Sequence, residues 1–337
     1  MKLNKLIFLL GALVVFISSG TQAMGFGKTA GQFLWRHKGA ATGLVLLSVG
    51  SVEGYGEELA KQQKIAAETK SDELDVPEAW QMKAKKLFAE AGMNLAFKNY
   101  TDGPQDVFNM GVARYGNHAI LYLNRTAQKT LSSGPSGYQP LFKIPESHLT
   151  EATPPGIQLI KLNEKTVYII AEEPYTGENA WVTLLHEYGH AINRDHETQI
   201  ALERLTIPAH AMIGVAAYKR VMHLTRALSG LKKIGALTAA TSISLAAFMG
   251  TAIIRELFAT IYRELKADKI VFDTEDANLI RSHIDGFKKD ASILQAQHHY
   301  GLSSTGEMIR IPPISLRIAL AERALKKLQE ANGQTKE

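Results

Sequence analysis

The chain has 337 residues, enough for one large domain or two small ones with a sizeable core. With 45% hydrophobic and 21% charged residues it reads as globular, and a formal net charge of +5 is too diffuse to argue for a nucleic-acid partner. Cysteine is absent, which excludes disulfides, thiolate metal sites and cysteine nucleophiles, so any zinc must be held by histidine and carboxylate.

The N-terminus pairs a short basic region, "MKLNK", with the apolar run "LIFLLGALVVFISSG", which has signal-peptide length. Thr21 and Ala23 are small residues at the −3 and −1 places of a cut after Ala23. Residues 1–23 are therefore expected as a signal peptide or N-terminal anchor, with the rest of the chain exported. "GFGKT" is not a phosphate loop, because Gln22 stands where the first glycine is needed. The uncharged run Gly39–Val52 has 14 residues, short for a span and suited to an interfacial or buried helix. Residues 24–75 are thus expected as an apolar membrane-proximal segment and linker, with the main domain at 76–330.

"PEAWQMKAKKLFAEAGM" has helical spacing that lets Trp80, Leu87, Phe88 and Met93 share a side. "NHAILYLN" (117–124) and "KTVYIIAEE" (165–173) are rich in β-branched and aromatic residues and predict strands. The Gly/Pro/Ser-rich stretch 133–156 between them predicts an extended surface insertion. "TGENAWVTLLHEYGHAINRDHE" predicts a helix capped by Thr176, with Glu178 in its first turn. A basic amphipathic piece follows at 219–233, then an uncharged run from Ile234 to Ile254, then the helical "RELFATIYRELKADKIVFD". "PPISLRIALAERALKKLQEANGQ" predicts a proline-started amphipathic helix. The whole predicts a mostly helical α+β fold.

The chemistry concentrates in "HEYGH". His186 and His190 are four apart, so a helix places both imidazoles on one face, one turn apart, where one zinc ion can bridge them. Glu187 points beside the metal, where it can activate a zinc-bound water and pass its proton to a leaving amine. One zinc per chain is expected, and it needs a third ligand. His196 fits the HExxHxxGxxH spacing, with Asn193 in the glycine place, where it is the next most tolerant residue of φ > 0. Glu264 is the other choice. It shares a helix face with Asp268, which can fix the tautomer of a zinc-bound histidine.

Three ordered blocks carry a resemblance: "HEYGHAINRD", "RELKAD" (Arg263, Glu264, Ala267, Asp268) and "IPPISLRI" (Pro312, Pro313, Arg317, Ile318). Over roughly residues 110–325 the chain resembles gluzincin peptidases of the type I CaaX prenyl protease and HtpX heat-shock protease family, with their periplasmic chaperone-protease relatives. The resemblance implies a zinc endopeptidase domain with ligands His186, His190 and Glu264, with Glu187 as general base and acid, and with Asp268 behind a ligand. It also implies a small sheet whose edge takes substrate as an added strand, and "NHAILYLN" is the expected edge. The family histidine is replaced by Ile311, so an oxyanion donor must come from elsewhere; His298, His299, Tyr300 and Arg317 are the candidates nearby in sequence.

The run 234–254 is long enough to span a bilayer, yet it separates His190 from Glu264, which must share a side. The apolar stretch Ile207–Tyr218 has only 12 residues. The expectation is an apolar helical hairpin that dips into the membrane or packs on the core, with a true pair of spans as the alternative. The functional expectation is an exported, membrane-associated zinc endopeptidase in envelope protein quality control, on the periplasmic side of a bacterial inner membrane, acting on protein or peptide substrates. The alternatives are an integral membrane protein, a metzincin-type protease using His196, and a metal-binding chaperone-like or structural module with little turnover.

Overall fold

A computed structural model describes residues 38–101, 108–133, 142–144, 153, 157–163, 166–171, 176–300 and 313–334. The expected signal or anchor at 1–23 lies outside these residues. In chain order the elements are α1 (Lys38–Glu68), α2 (Glu78–Glu90), β1 (Asn94–Asn99), β2 (Met110–Tyr115), β3 (His118–Leu123) and α3 (Arg125–Ser133). Then come β4 (Phe142–Ile144), β5 (Ile157–Asn163), β6 (Thr166–Ala171), α4 (Gly177–Asn193) and α5 (Asp195–Leu205). Last are α6 (Ile207–Leu224), α7 (Leu231–Phe272), α8 (Ala277–His299) and α9 (Ile314–Gln334). The molecule is mostly helical with small sheets, an α+β arrangement.

The chain forms two compact units. One takes in residues 58–200 and 250–337. Its first sheet has the order β1-β3-β2, with β1 parallel to β3 and β2 antiparallel to it. "NHAILYLN" is therefore the central strand, hydrogen-bonded on both sides, and not an edge of this sheet; its edges are β1 and β2. The second sheet, β4-β6-β5, is antiparallel, so the stretch expected as an insertion contributes strand β4.

Phe88 and Met93 of the α2 region, Phe97, Leu121 and Leu123 of the sheet and Leu184 of α4 are fully buried together, with Trp80 and Leu87 packed at the margin. The Phe88 ring meets Tyr188 edge-on at 5.1 Å, and Trp80 meets Trp181 at 6.4 Å. Burying each such side chain contributes roughly 1.5–3 kcal/mol. This layer fixes α4 over the first sheet.

The other unit takes in residues 38–57 together with residues 201–249. Within it, α6 and the first half of α7 pack closely at small residues. Ser244 Oγ donates to the Gly214 carbonyl at 2.7 Å, and a Cβ at Gly214 would lie 3.2 Å from Ser244. His210 stacks edge-on to Phe248 at 5.9 Å. Two helical stretches, Asp195–Leu224 and Ile234–Phe272, are long and apolar enough to cross a membrane. The first corrects the 12-residue expectation, because the helix continues past Tyr218 to Leu224.

Candidate metal centre

α4 begins at Thr176, whose side chain accepts from the Asn179 N–H while Asn179 Oδ1 accepts from the Thr176 N–H, a capping box. Asn179 Nδ2 also donates to Ser282 Oγ at 3.0 Å, which ties this helix start to α8. The expected cap is thus the observed one. The helix ends at Arg194, in the left-handed region at φ 56°, whereas Asn193 is still helical. The sharp turn therefore falls one residue later than the HExxHxxGxxH spacing requires. It brings Asp195 back onto His190, with Oδ2 2.7 Å from Nδ1.

A close helix contact completes the cluster. Gly189 faces Ala267 so tightly that a Cβ on it would sit 2.7 Å from the Ala267 Cα and 2.8 Å from its carbonyl oxygen. This lets Glu264 and Asp268, one turn apart on α7, reach the histidines of α4. His186 Nε2 lies 3.1 Å from His190 Nε2 and 3.3 Å from Glu264 Oε2; His190 Nε2 lies 3.6 Å from Glu264 Oε1. His186 Nδ1 is 2.9 Å from Asp268 Oδ1, although off the line of a good hydrogen bond.

The electrostatics ask for a cation here. Asp195 and Asp268 favour the proton on each Nδ1, which leaves a lone pair on each Nε2. Two such lone pairs and a carboxylate then face one another within 3.6 Å. A proton or a metal ion resolves the repulsion. Accordingly, burial disfavours charge on His186, but Asp268 and Glu264 overcome it and push its pKa up to about 9.

Glu187 lies on the same cluster. Burial raises its pKa, and its Oε2 accepts from the Val112 N–H of edge strand β2 at 3.1 Å. Among the described residues, two sets have donor atoms all within 4.8 Å: His186 with Glu187 and His190, and His186 with Asp268 and His283. The second already holds a cation. Arg317 grips Asp268 with both Nε and Nη2, at 2.7 and 2.6 Å, and His283 Nε2 lies 3.1 Å from the same carboxylate. A metal is favoured on the Nε2 side.

The sequence-derived residues His186, Glu187, His190, Glu264 and Asp268 thus meet in one place. His196 does not join them: its ring lies against Tyr115, 6.1 Å between centroids, and it belongs to neither metal-capable set. Arg317 is buried and committed to Asp268, with Glu264 Oε2 at 3.6 Å, so it is a positioning residue rather than a free oxyanion donor. Tyr300 is buried with its ring 5.0 Å from that of His299. The His298 side chain and Ile311 lie outside the described residues. Asp195 and His283 were not assigned roles from sequence. Asp195, five residues past His190, could have been found by asking what holds the far ring nitrogen; His283 sits in no motif.

No family model, curated protein or solved structure matches this chain.

Proposed function

We propose that the protein is a zinc-dependent endopeptidase of gluzincin type, membrane-associated and exported, serving envelope protein quality control. The observation that carries this is the convergence of His186, His190 and Glu264. Donors about 2.0–2.1 Å from one tetrahedral zinc stand about 3.3 Å apart. The three separations here are 3.1, 3.3 and 3.6 Å. A nitrogen and carboxylate donor set without sulfur suits zinc. Bound zinc supplies Lewis acidity.

The chain's own groups do the rest. Glu187 takes a proton from the attacking water and returns it to the amine as the peptide C–N bond breaks. Its burial raises its proton affinity toward the working pH of a general base, and the Val112 N–H fixes one oxygen so that the other faces the reaction. Asp195 and Asp268 orient the two imidazoles, and Arg317 and His283 hold Asp268.

A metal-binding chaperone-like module with little turnover is the second reading. It is favoured by one observation: Arg317, an expected oxyanion donor, is engaged by Asp268. The test is zinc content and casein cleavage by the purified chain. Wild type and Glu187→Gln should both hold one zinc, with cleavage only in wild type. Equal cleavage by both ends the peptidase reading, and zinc without cleavage in either supports the second. Zinc should be lost in Glu264→Ala and kept in His196→Ala; the reverse would make His196 the ligand.

A further inference from the structure

We infer that Glu197 and Arg114 are positioning residues: together they clamp the β2–β3 turn to the end of α4, and so keep the Val112 N–H aimed at Glu187. For its effect on peptide cleavage the inference rests on the peptidase reading; for the placement of the strand it does not. β2 and β3 are joined by Gly116 and Asn117 alone, and Gly116 has φ 63°, the left-handed conformation that such a two-residue turn requires. Both backbone polar groups of Gly116 are taken by charged side chains. Its N–H donates to Glu197 Oε1, and its carbonyl accepts from Arg114 Nε at 2.8 Å. The same guanidinium donates through Nη1 to the Ala191 carbonyl, 3.0 Å away, in the last turn of α4. Hydrogen bonds with a charged partner are roughly twice as strong as neutral ones.

The chain after the metal-ligand helix supplies this clamp. The left-handed turn at Arg194 is followed by three side chains with separate tasks: Asp195 meets His190, His196 lies against Tyr115, and Glu197 meets Gly116. Glu197 is buried, and Arg194 Nη1 lies 3.5 Å from its other oxygen. α5 is itself braced, because Arg263 of α7 donates to Gln199 Oε1 at 3.1 Å.

Strand and helix match in step. Val112 of β2 bonds to Glu187 of α4, and Arg114, two residues on, bonds to Ala191, four residues on. Two residues of strand cover about 6.7 Å and four residues of helix about 6 Å, so both contacts can be made side by side. Val112 stands opposite Leu121 but turns its N–H away from β3, as alternate residues of an antiparallel pair do. A slip of one residue would turn the N–H at this place toward β3 and leave Glu187 without its donor. The clamp at Gly116 and Ala191 opposes that slip.

The test compares wild type with Glu197→Ala, Glu197→Gln and Arg114→Lys, and uses Glu187→Ala as the reference for a lost Val112 contact. Zinc content, amide hydrogen exchange resolved to single residues, and casein cleavage are measured on the purified full chain. In Glu197→Ala the Val112 amide should exchange about tenfold faster, matching Glu187→Ala, while the β3 amides keep their protection and zinc content stays at the wild-type level. Cleavage should lose about 10–100-fold in kcat with KM little changed. Glu197→Gln keeps an acceptor for the Gly116 N–H and should recover most of both losses. Arg114→Lys cannot make both guanidinium contacts and should fall between wild type and Glu197→Ala. Wild-type exchange at Val112 in Glu197→Ala and Arg114→Lys would overturn the inference. So would protection lost throughout β3, which would make the clamp a general stability contact, and so would zinc loss in Glu197→Ala, which would place its effect on the ligands. Should wild type cleave nothing, the peptidase reading falls, and the exchange rates still decide the positioning.

Discussion

At the residue scale, the centre is a competition between a proton and a metal for the same lone pairs. With the His186 pKa at about 9, the metal-free protein carries an extra proton at neutral pH that zinc must displace. Zinc affinity should therefore rise with pH, about tenfold per unit for one proton, and level off near pH 9. Competition titrations at pH 6.5, 7.5 and 8.5 check this; a flat response would refute it. The sign for stability is opposite. A histidine whose folded pKa exceeds its unfolded value contributes stability that is fully present below about pH 6.5 and is lost as pH rises through 9. Metal-free protein should thus unfold more easily at pH 9 than at pH 6.5, and zinc should remove that difference. Asp195→Asn is a sharper probe of orientation. It leaves His190 in place but weakens the charge-assisted hydrogen bond at Nδ1, 2.7 Å long, and should lower zinc affinity by roughly 10–100-fold.

The helices decide whether those residues can meet. Gly189 has helical geometry, so Gly189→Ala would by propensity stabilise α4 by about 1 kcal/mol. The new methyl would stand under 3 Å from the Ala267 backbone, which cannot swing aside as a flexible side chain can. Overpacking of that kind costs about 1–3 kcal/mol and should win. The expected outcome is a lower melting temperature together with weaker zinc binding, measured by thermal unfolding with and without metal; a higher melting temperature would mean that α4 and α7 stand further apart. The same helices show what could be read from sequence. His186, Glu187 and His190, like Glu264 and Asp268, were legible because their spacing of three to four is a local property of one helix. The sheet edge was not. "NHAILYLN" is as β-prone as an edge strand needs to be, yet strand order is set by which strands pair across the fold, and β3 is paired on both sides. The hairpin was half legible: composition marked Ile234–Ile254, but α6 was judged by its uncharged stretch, while its helix runs on through Lys219 and Arg220.

Across the described residues, one buried carboxylate on α7 gathers side chains from three other helices. Asp268 of α7 meets His186 of α4, His283 of α8 and Arg317 of α9. The "PPISLRI" block marked Arg317, and only its nearness in sequence made it a candidate oxyanion donor; its partner could be seen only once α9 was folded against α8. Asp268 is fully buried and Arg317 nearly so, so each depends on the other for charge compensation. Removing the cation alone should be costly, because it strands a buried carboxylate: about 3–5 kcal/mol for Arg317→Ala. Arg317→Lys should recover only part of that, since an ammonium cannot make the two-pronged contact that Nε and Nη2 make at 2.7 and 2.6 Å. If Arg317 acts by positioning, zinc affinity should fall in both variants and in the order Ala below Lys below wild type, whatever happens to cleavage. A variant that binds zinc normally yet cleaves nothing would instead make Arg317 a donor to the reacting carbonyl.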